Sequence, residues 1–195
     1  MKELKTERLL LRYITRNDVQ AIYEGWANDP EVARYVTWNA HEDISVTEKV
    51  MDTWLEEYQK DNCYRYGIER LSDGVLMGMI DVVGYHNGNP VIVYCSGKKY
   101  WGNGYMTEAL KAVVQELFSD GFDTIRIEAV KENIASNRVI LKAGFELVGS
   151  RQELLSDIKA ELVTINSYKL QKLKATPHNY GRSIAPSDFS SDCTN

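Results

Sequence analysis

The sequence predicts an α/β (α+β) domain. A mixed, twisted sheet of six or seven strands should carry helices on both faces and one parallel pair of strands that splays apart. Three observations carry this reading. Residues 90–96 read as a buried strand, Trp101-Gly102-Asn103-Gly104 as a turn, and the residues that follow as a long helix with apolar positions at Met106, Ala109, Leu110, Val113, Val114, Leu117 and Phe118. A further strand at 123–130 alternates Ile125, Ile127 and Ala129, and a strand–helix–strand crossover joins parallel neighbours. Upstream, runs at 64–70, 75–85 and 90–96 are separated by Ser72-Asp73-Gly74 and by His86-Asn87-Gly88-Asn89, the turn chemistry of antiparallel neighbours. Both members of the parallel pair run into turns suited to ligand binding, so they should part instead of pairing to their ends.

The remaining elements follow in order. Residues 6–13 place Leu9, Leu11 and Tyr13 on alternate positions and read as a first strand. Thr15 with Asp18 three residues on is a capping-box pattern, and the helix it starts carries Val19, Ile22, Tyr23 and Trp26 on one side. Asn28-Asp29-Pro30 ends that helix. Residues 31–43 read as a loop or short helix, with Tyr35 and Trp38 either packing it down or lining an acceptor pocket. Ser45 with Glu48 is expected to cap the next helix, whose apolar face is Val46, Val50, Trp54, Leu55 and Tyr58. After the crossover, residues 135–143 read as a short helix stopped by Gly144, and 145–150 and 162–170 close the sheet. One domain over residues 1–170 is expected, with 171–195 an aperiodic tail.

Composition excludes several classes. At 195 residues and 44% hydrophobic, the chain is long enough for one domain with a substantial core. A net charge of −5 argues against nucleic acid as a partner. Three cysteines, Cys63, Cys95 and Cys193, share no metal-like spacing, and His41, His86 and His178 are scattered, so no metal is expected. No apolar run approaches the ~18 residues of a membrane span, and residues 1–5 lack an apolar core for a signal peptide. A cytoplasmic protein, monomer or homodimer, fits these bounds.

The glycine turn at 101–104 is where chemistry concentrates. A strand, a glycine turn and a helix start aim free backbone N–H groups at one spot, where the helix dipole favours an anion such as a phosphate or pyrophosphate. The same turn also serves as a purely structural strand-to-helix connection. It lacks the third glycine of the dinucleotide fingerprint, since Thr107 occupies that place, and it lacks the Lys-Ser/Thr ending of a phosphate-cradling loop.

Residues 100–109, Tyr-Trp-Gly-Asn-Gly-Tyr-Met-Thr-Glu-Ala, resemble the coenzyme A pyrophosphate loop of the GNAT superfamily of N-acetyltransferases, and most closely its RimJ/RimL-like, ribosomal-protein-type branch. Thr6-Glu7-Arg8-Leu9-Leu10-Leu11-Arg12 is similar to the usual first strand of that branch. Trp101 stands where the broader superfamily has Gln or Arg, and Met106 where it has Gly or Ala. The resemblance covers roughly residues 5–170. It implies a GNAT-like fold, acetyl-CoA as co-substrate and an amine acceptor, either a small molecule or a protein N-terminus. The implied coenzyme contacts are Ser96, Trp101, Gly102, Asn103, Gly104, Tyr105, Met106 and Thr107.

A second constellation runs from Asn133-Ile134-Ala135-Ser136-Asn137-Arg138 to Gly144-Phe145. On residue type alone Asn133 is a helix cap. The segment also resembles the second coenzyme A motif, which implies coenzyme contacts from Asn133, Asn137 and Arg138, with Asn133 on the pantetheine arm. Superfamily members often place a tyrosine acid where this chain has Ile140, which leaves Ser136, near the thioester sulfur, as the better candidate to protonate the leaving thiolate, directly or through water. Direct attack of a neutral amine then needs positioning, carbonyl polarisation and proton management. A backbone N–H near Ser96 is placed to polarise the acetyl oxygen. Relatives often carry a glutamate three residues before the Tyr94 position, where this chain has Val91. Asp81 is the substitute base, with a water relay as the alternative. Tyr94 and Cys95 face opposite sides of their strand, and Tyr94 joins the catalytic set. Trp26, Tyr35 and Trp38 are the expected acceptor walls. A non-catalytic coenzyme A-binding or sensor domain on the same fold stays open as the second reading.

Overall fold

The structure is a computed structural model that describes residues 2–60 and 63–173. The expected tail lies outside the described residues from 174 onward. The strands are β1 (Leu4–Lys5), β2 (Leu9–Arg12), β3 (Arg65–Arg70), β4 (Val75–His86), β5 (Asn89–Ser96), β6 (Thr124–Val130), β7 (Glu146–Leu154) and β8 (Leu162–Gln171). They form one eight-stranded sheet in the order β1-β2-β3-β4-β5-β6-β8-β7. The count exceeds the expected six or seven because two-residue β1 adds an edge, pairing Leu4 with Leu11, and a segment that short leaves no periodic signal.

Every neighbour pair is antiparallel except β5–β6. That parallel ladder holds only two matched positions, Val91 with Arg126 and Ile92 with Ile127. Beyond them β5 runs on to Ser96 and β6 to Val130 without pairing to each other, which is the expected splay. The β4–β5 connection is a two-residue hairpin turn with Asn87 at φ 51° and Gly88 at φ 76°, the left-handed pair that matches strand twist.

The helices are α1 (Val19–Ile22), α2 (Pro30–Ala33), α3 (Ile44–Glu57), α4 (Tyr105–Ser119) and α5 (Ile134–Lys142). A π-turn, Tyr23–Ala27, continues α1. The Thr15–Asp18 box forms: the Thr15 N–H donates to Asp18 Oδ2 at 2.7 Å. α3 is capped by Asp43, whose Oδ1 accepts from the Ser45 N–H at 2.8 Å, and the expected Ser45–Glu48 cap is not used. Asp43 sits in extended backbone one residue before the helix, so its short carboxylate reaches that N–H first.

Two apolar clusters sandwich the sheet. On one face α4 and α5 bring Leu110, Val113, Leu117 and Ile140 onto Ile92, Ile125 and Ile127. On the other, Ile22, Trp26 and Met51 pack onto Leu76 and Met79 of β4, with Cys95 of β5 against them. That second cluster takes its strand residues from β4 and β5, so it leaves the β6–β8–β7 part of the same face outside it. Trp26 is only 1% exposed, which makes it core and removes it from the acceptor walls. Its period-3.6 position pointed to burial as well as to a pocket, and packing decides between them.

Candidate active site

The loop after β5 is built by backbone conformation. Gly102 (φ 78°) and Gly104 (φ 79°) are both left-handed, a region that costs other residues strain. Gly104 is also the N-cap of α4, whose ladder starts with the Glu108 N–H donating to the Gly104 carbonyl at 3.1 Å. The N–H groups of Tyr105, Met106 and Thr107 therefore have no partner within the helix. Asn103 turns inward and donates from Nδ2 to the carbonyls of Tyr100 (3.2 Å) and Trp101 (2.9 Å). Trp101 is 41% exposed and its Nε1–H donates to the Ser96 carbonyl at 2.9 Å, tying the loop to the strand end.

The first strand segment braces this loop. Glu108 Oε1 accepts from the Thr6 hydroxyl (2.6 Å) and the Arg8 N–H (2.9 Å), and Oε2 accepts from Arg8 Nε (2.7 Å). Arg8 Nη1 also donates to the Asn103 carbonyl at 3.1 Å, and its guanidinium lies 4.5 Å over the Tyr105 ring. These contacts place a cation beside Gly104, whose added Cβ would meet Arg8 Nη2 at 3.6 Å. Sequence reasoning missed Arg8 and Glu108 as site residues, although both lie inside the two motifs that carried the resemblance.

The gap between β5 and β6 opens directly beneath. The Gly97 N–H bonds the Met77 carbonyl at 2.9 Å, and Met79 pairs with Cys95, so odd positions on β5 bond to β4. Alternation then turns the N–H groups of Tyr94 and Ser96 away from β4 and into the gap. β4 approaches this strand end closely, for a Cβ on Gly78 would sit 2.4 Å from the Cys95 carbonyl oxygen.

On the β6 side, Asn133 caps α5 by accepting from the Ser136 N–H at 3.1 Å. This leaves its amide N–H groups free of partners among the described residues. The Ser136 hydroxyl meets the Tyr94 hydroxyl at 2.9 Å, and Tyr94 also donates to the Ser136 carbonyl at 3.2 Å. Burial pushes the Tyr94 phenol well above its ordinary range, so it stays protonated at neutral pH. Cys95 is pushed up to about 12 by burial and is inert as a nucleophile.

Asn137 takes a different place from the one expected. It is buried, its Nδ2 donates to the carbonyls of Val130 (2.9 Å) and Asn133 (2.7 Å), and its Oδ1 accepts from Asn166 (2.9 Å) and Tyr168. Its carboxamide is fully committed to fixing the β6–α5 turn, so it supports the site without facing a ligand. Arg138 is exposed on α5.

Asp81 is corrected in the same way. It is 4% exposed, and its Oδ2 accepts from Arg65 Nε (2.8 Å) and Nη2 (2.7 Å). Burial pushes this carboxyl up, while the Arg65 guanidinium opposes the shift. Arg65 also holds Glu57 at 2.6 Å, so Asp81 belongs to a structural charge cluster against α3 and is no free base.

The segment expected to line an acceptor pocket is assembled around α2. Tyr35 stacks under the Arg34 guanidinium (5.0 Å), and Trp38 packs beside His41 (5.6 Å) and on the second apolar cluster. Lys159, from the β7–β8 connection, donates to the Ala33 carbonyl at the end of α2, and Lys98 pairs with Glu31 at its start. A Cβ on Gly97 would sit 2.4 Å from the Gly25 carbonyl oxygen, so the π-turn rests directly on the end of β5. Among the described residues no group of three or more His, Cys, Asp or Glu is placed to hold a metal. No helix among them is long and apolar enough to cross a membrane.

The acetyltransferase (GNAT) domain family matches residues 8–146. The N-acetyltransferase YoaA of Bacillus subtilis (strain 168), itself uncharacterized, is 36% identical over 152 residues, spanning 75% of this chain and 84% of the relative. The fold is shared with the microcin C7 self-immunity acetyltransferase MccE, solved with acetyl-CoA and AMP (TM-score 0.75, 20% identity, 86% of this chain and 94% of that one). It is shared too with RimL, the ribosomal L7/L12 α-N-protein acetyltransferase solved with coenzyme A (TM-score 0.74, 18% identity, 87% and 98%). The splayed pair, the left-handed glycine loop and these matches together show that the chain belongs to the GNAT family of acetyltransferases.

Proposed function

We propose that the protein transfers the acetyl group of acetyl-CoA to a primary amine by direct attack. The observation that carries this is the gap between β5 and β6, with an N–H cradle at one rim and the Tyr94–Ser136 hydroxyl pair inside it. The pyrophosphate lies over the N–H groups from Gly102 to Thr107, with Arg8 beside it, and Asn133 donates to the pantetheine arm. The Ser96 N–H polarises the acetyl oxygen. The amine nitrogen bonds the acetyl carbon, the carbon–sulfur bond breaks, and the thiolate takes a proton from the Ser136 hydroxyl, which is replenished through Tyr94 by a proton from water, so that both hydroxyls end protonated. The ammonium proton leaves to water, because Asp81 is held by Arg65. The chemistry of the neighbours supports this reading: MccE and RimL were solved with acetyl-CoA or coenzyme A. The test is a panel of amines and peptides incubated with acetyl-CoA, following thiol release and acetylated product by mass spectrometry. Tight acetyl-CoA binding with no acetylated product from any amine would favour the sensor reading instead.

A further inference from the structure

The sheet face opposite α4 and α5 holds a cleft of about 510 Å3, lined by His86, Val91, Arg126, Glu128, Arg151 and Ser167 among others. Register places it at the closed end of the splay. Val91 and Arg126 are one of the two matched positions of the parallel pair, and the strands diverge just past the other. The cleft lies on the sheet face that carries α1–α3 on the neighbouring strands, the face expected to receive the acceptor.

The lining itself carries two cations, Arg126 and Arg151, against one carboxylate, Glu128. Glu128 is already held: Arg151 donates from Nη1 to Oε1 (2.7 Å) and from Nη2 to Oε2 (2.8 Å), and the Ser167 hydroxyl adds a bond at 2.7 Å. Arg151 also pairs with Glu153 at 2.7 Å. Arg126 makes no hydrogen bond or ion pair among the described residues. It stands directly opposite Lys169 across the β6–β8 ladder, an unfavourable juxtaposition of like charges. The register partner of Lys169 on β7 is Glu146, with no ion pair between them. Arg126 lies near enough to Glu128 to help Arg151 hold that carboxyl below its usual range, yet its own guanidinium donors are unpaired among the described residues, and in a chain of net charge −5 such a donor set beside a cleft marks a place where an anion is stabilising.

We infer that this cleft is the anion subsite of the acceptor, in which Arg126 receives a carboxylate carried by the amine that is acetylated. The inference rests on the acetyl-transfer reading above. Three residues of strand, about 10 Å, separate Val91 from Tyr94. An extended arginine and a short amino acid, or a peptide N-terminus with an acidic residue beside it, span that distance. The planar guanidinium suits two-point binding of a carboxylate, which a lysine reproduces only in charge.

Two matched pairs of acceptors test this: β-alanine against β-alaninamide, and the peptide amide Ala-Glu-Ala against Ala-Gln-Ala. The wild-type protein should show a kcat/KM ratio of acid to amide of roughly tenfold or more in one pair, as one charge-assisted contact provides. The pair that shows it tells a small amino acid from an acidic peptide. Arg126→Gln should bring that ratio to about one, and Arg126→Lys should keep part of it. Equal ratios in wild type and Arg126→Gln overturn the subsite and leave acetyl transfer standing. If no amine is acetylated, the transfer reading fails. Calorimetric binding of the N-acetylated acid and amide then decides the subsite: preference for the acid that Arg126→Gln abolishes upholds it, and equal binding overturns it.

Discussion

Arg8 and Glu108 lie 100 residues apart in sequence and meet through a shared ion pair and a backbone bond, Nη2 to Oε2 at 2.6 Å and N–H to Oε1 at 2.9 Å. This contact welds the first strand to the first turn of α4, immediately beside the left-handed Gly104. It gives a physical reason for two sequence patterns that otherwise look independent, the Thr-Glu-Arg start and the Thr-Glu-Ala helix opening. Glu108→Gln takes the charge from both acceptors and turns one of them into a donor that faces the Thr6 and Arg8 donors. Acetyl-CoA affinity measured by calorimetry should fall on the order of tenfold as the N–H cradle loses its alignment, while circular dichroism keeps its native shape.

Gly104→Val should weaken acetyl-CoA binding through both the left-handed φ and the bulk it places in the cradle. Gly121 supplies the control, since it too is left-handed (φ 97°) and has open space around its Cβ position. Gly121→Ala should lower stability by about 1–3 kcal/mol in urea unfolding and leave coenzyme affinity where it was. Equal affinity loss in both variants would assign the effect to fold stability alone.

Ser136→Ala should lower kcat by roughly a hundredfold, the usual scale for losing a positioned proton donor, with a smaller change in the acetyl-CoA KM. Tyr94→Phe should lower it too, and the double variant should lose less than the product of the single losses because the two hydroxyls act as one relay. Full additivity would separate them into independent roles.

Acid stability should depend on Asp18. Burial works against its carboxylate, yet the Arg12 fork (Nη1 and Nη2, both 2.9 Å) and the Thr15 N–H hold its pKa below the usual range. A depressed folded-state pKa stabilises above the unfolded value of about 3.9, and that contribution is lost as pH falls through the folded value. Thermal unfolding should show Asp18→Asn below wild type at neutral pH, with the two curves converging as the pH falls below the unfolded carboxylate value of about 3.9 and through the lower folded one.

Replacing Tyr35 and Trp38 by alanine should raise the acceptor KM several-fold and spare acetyl-CoA affinity, as expected of apolar walls on the α2 side. Isothermal titration with acetyl-CoA and steady-state kinetics with any accepted amine separate the two effects. Weaker coenzyme binding with unchanged acceptor kinetics would move the pocket elsewhere.

Much of this architecture was legible in the sequence because its strongest signals are local. The period of α4, the hairpin turn at Asn87-Gly88 and the paired glycines at 102 and 104 each specify their own backbone. The splay was legible because two ligand-type turns follow the two parallel strands. What was not legible depends on partners distant in sequence. Asn137 looks like a ligand contact until Asn166 and Tyr168, from β8, claim its oxygen. Asp81 looks like a base until Arg65 is found opposite it in the β3–β4 register. Trp26 shows the limit of periodicity, which marks an apolar side without saying whether core or ligand covers it.

The two-position ladder between β5 and β6 has a mechanical consequence. Hydrogen bonding divides the sheet into a five-stranded panel and a three-stranded panel, hinged at Val91–Ile92 and Arg126–Ile127. Past the hinge, the amides of Tyr94 and Ser96 lie on an open seam in the middle of the molecule, where most proteins are best sealed. Whatever molecule lays its own amides along that seam becomes, for as long as it stays, a ninth strand. Slowed hydrogen exchange should then spread from the seam into both panels, so that occupancy is written in the rigidity of the whole sheet.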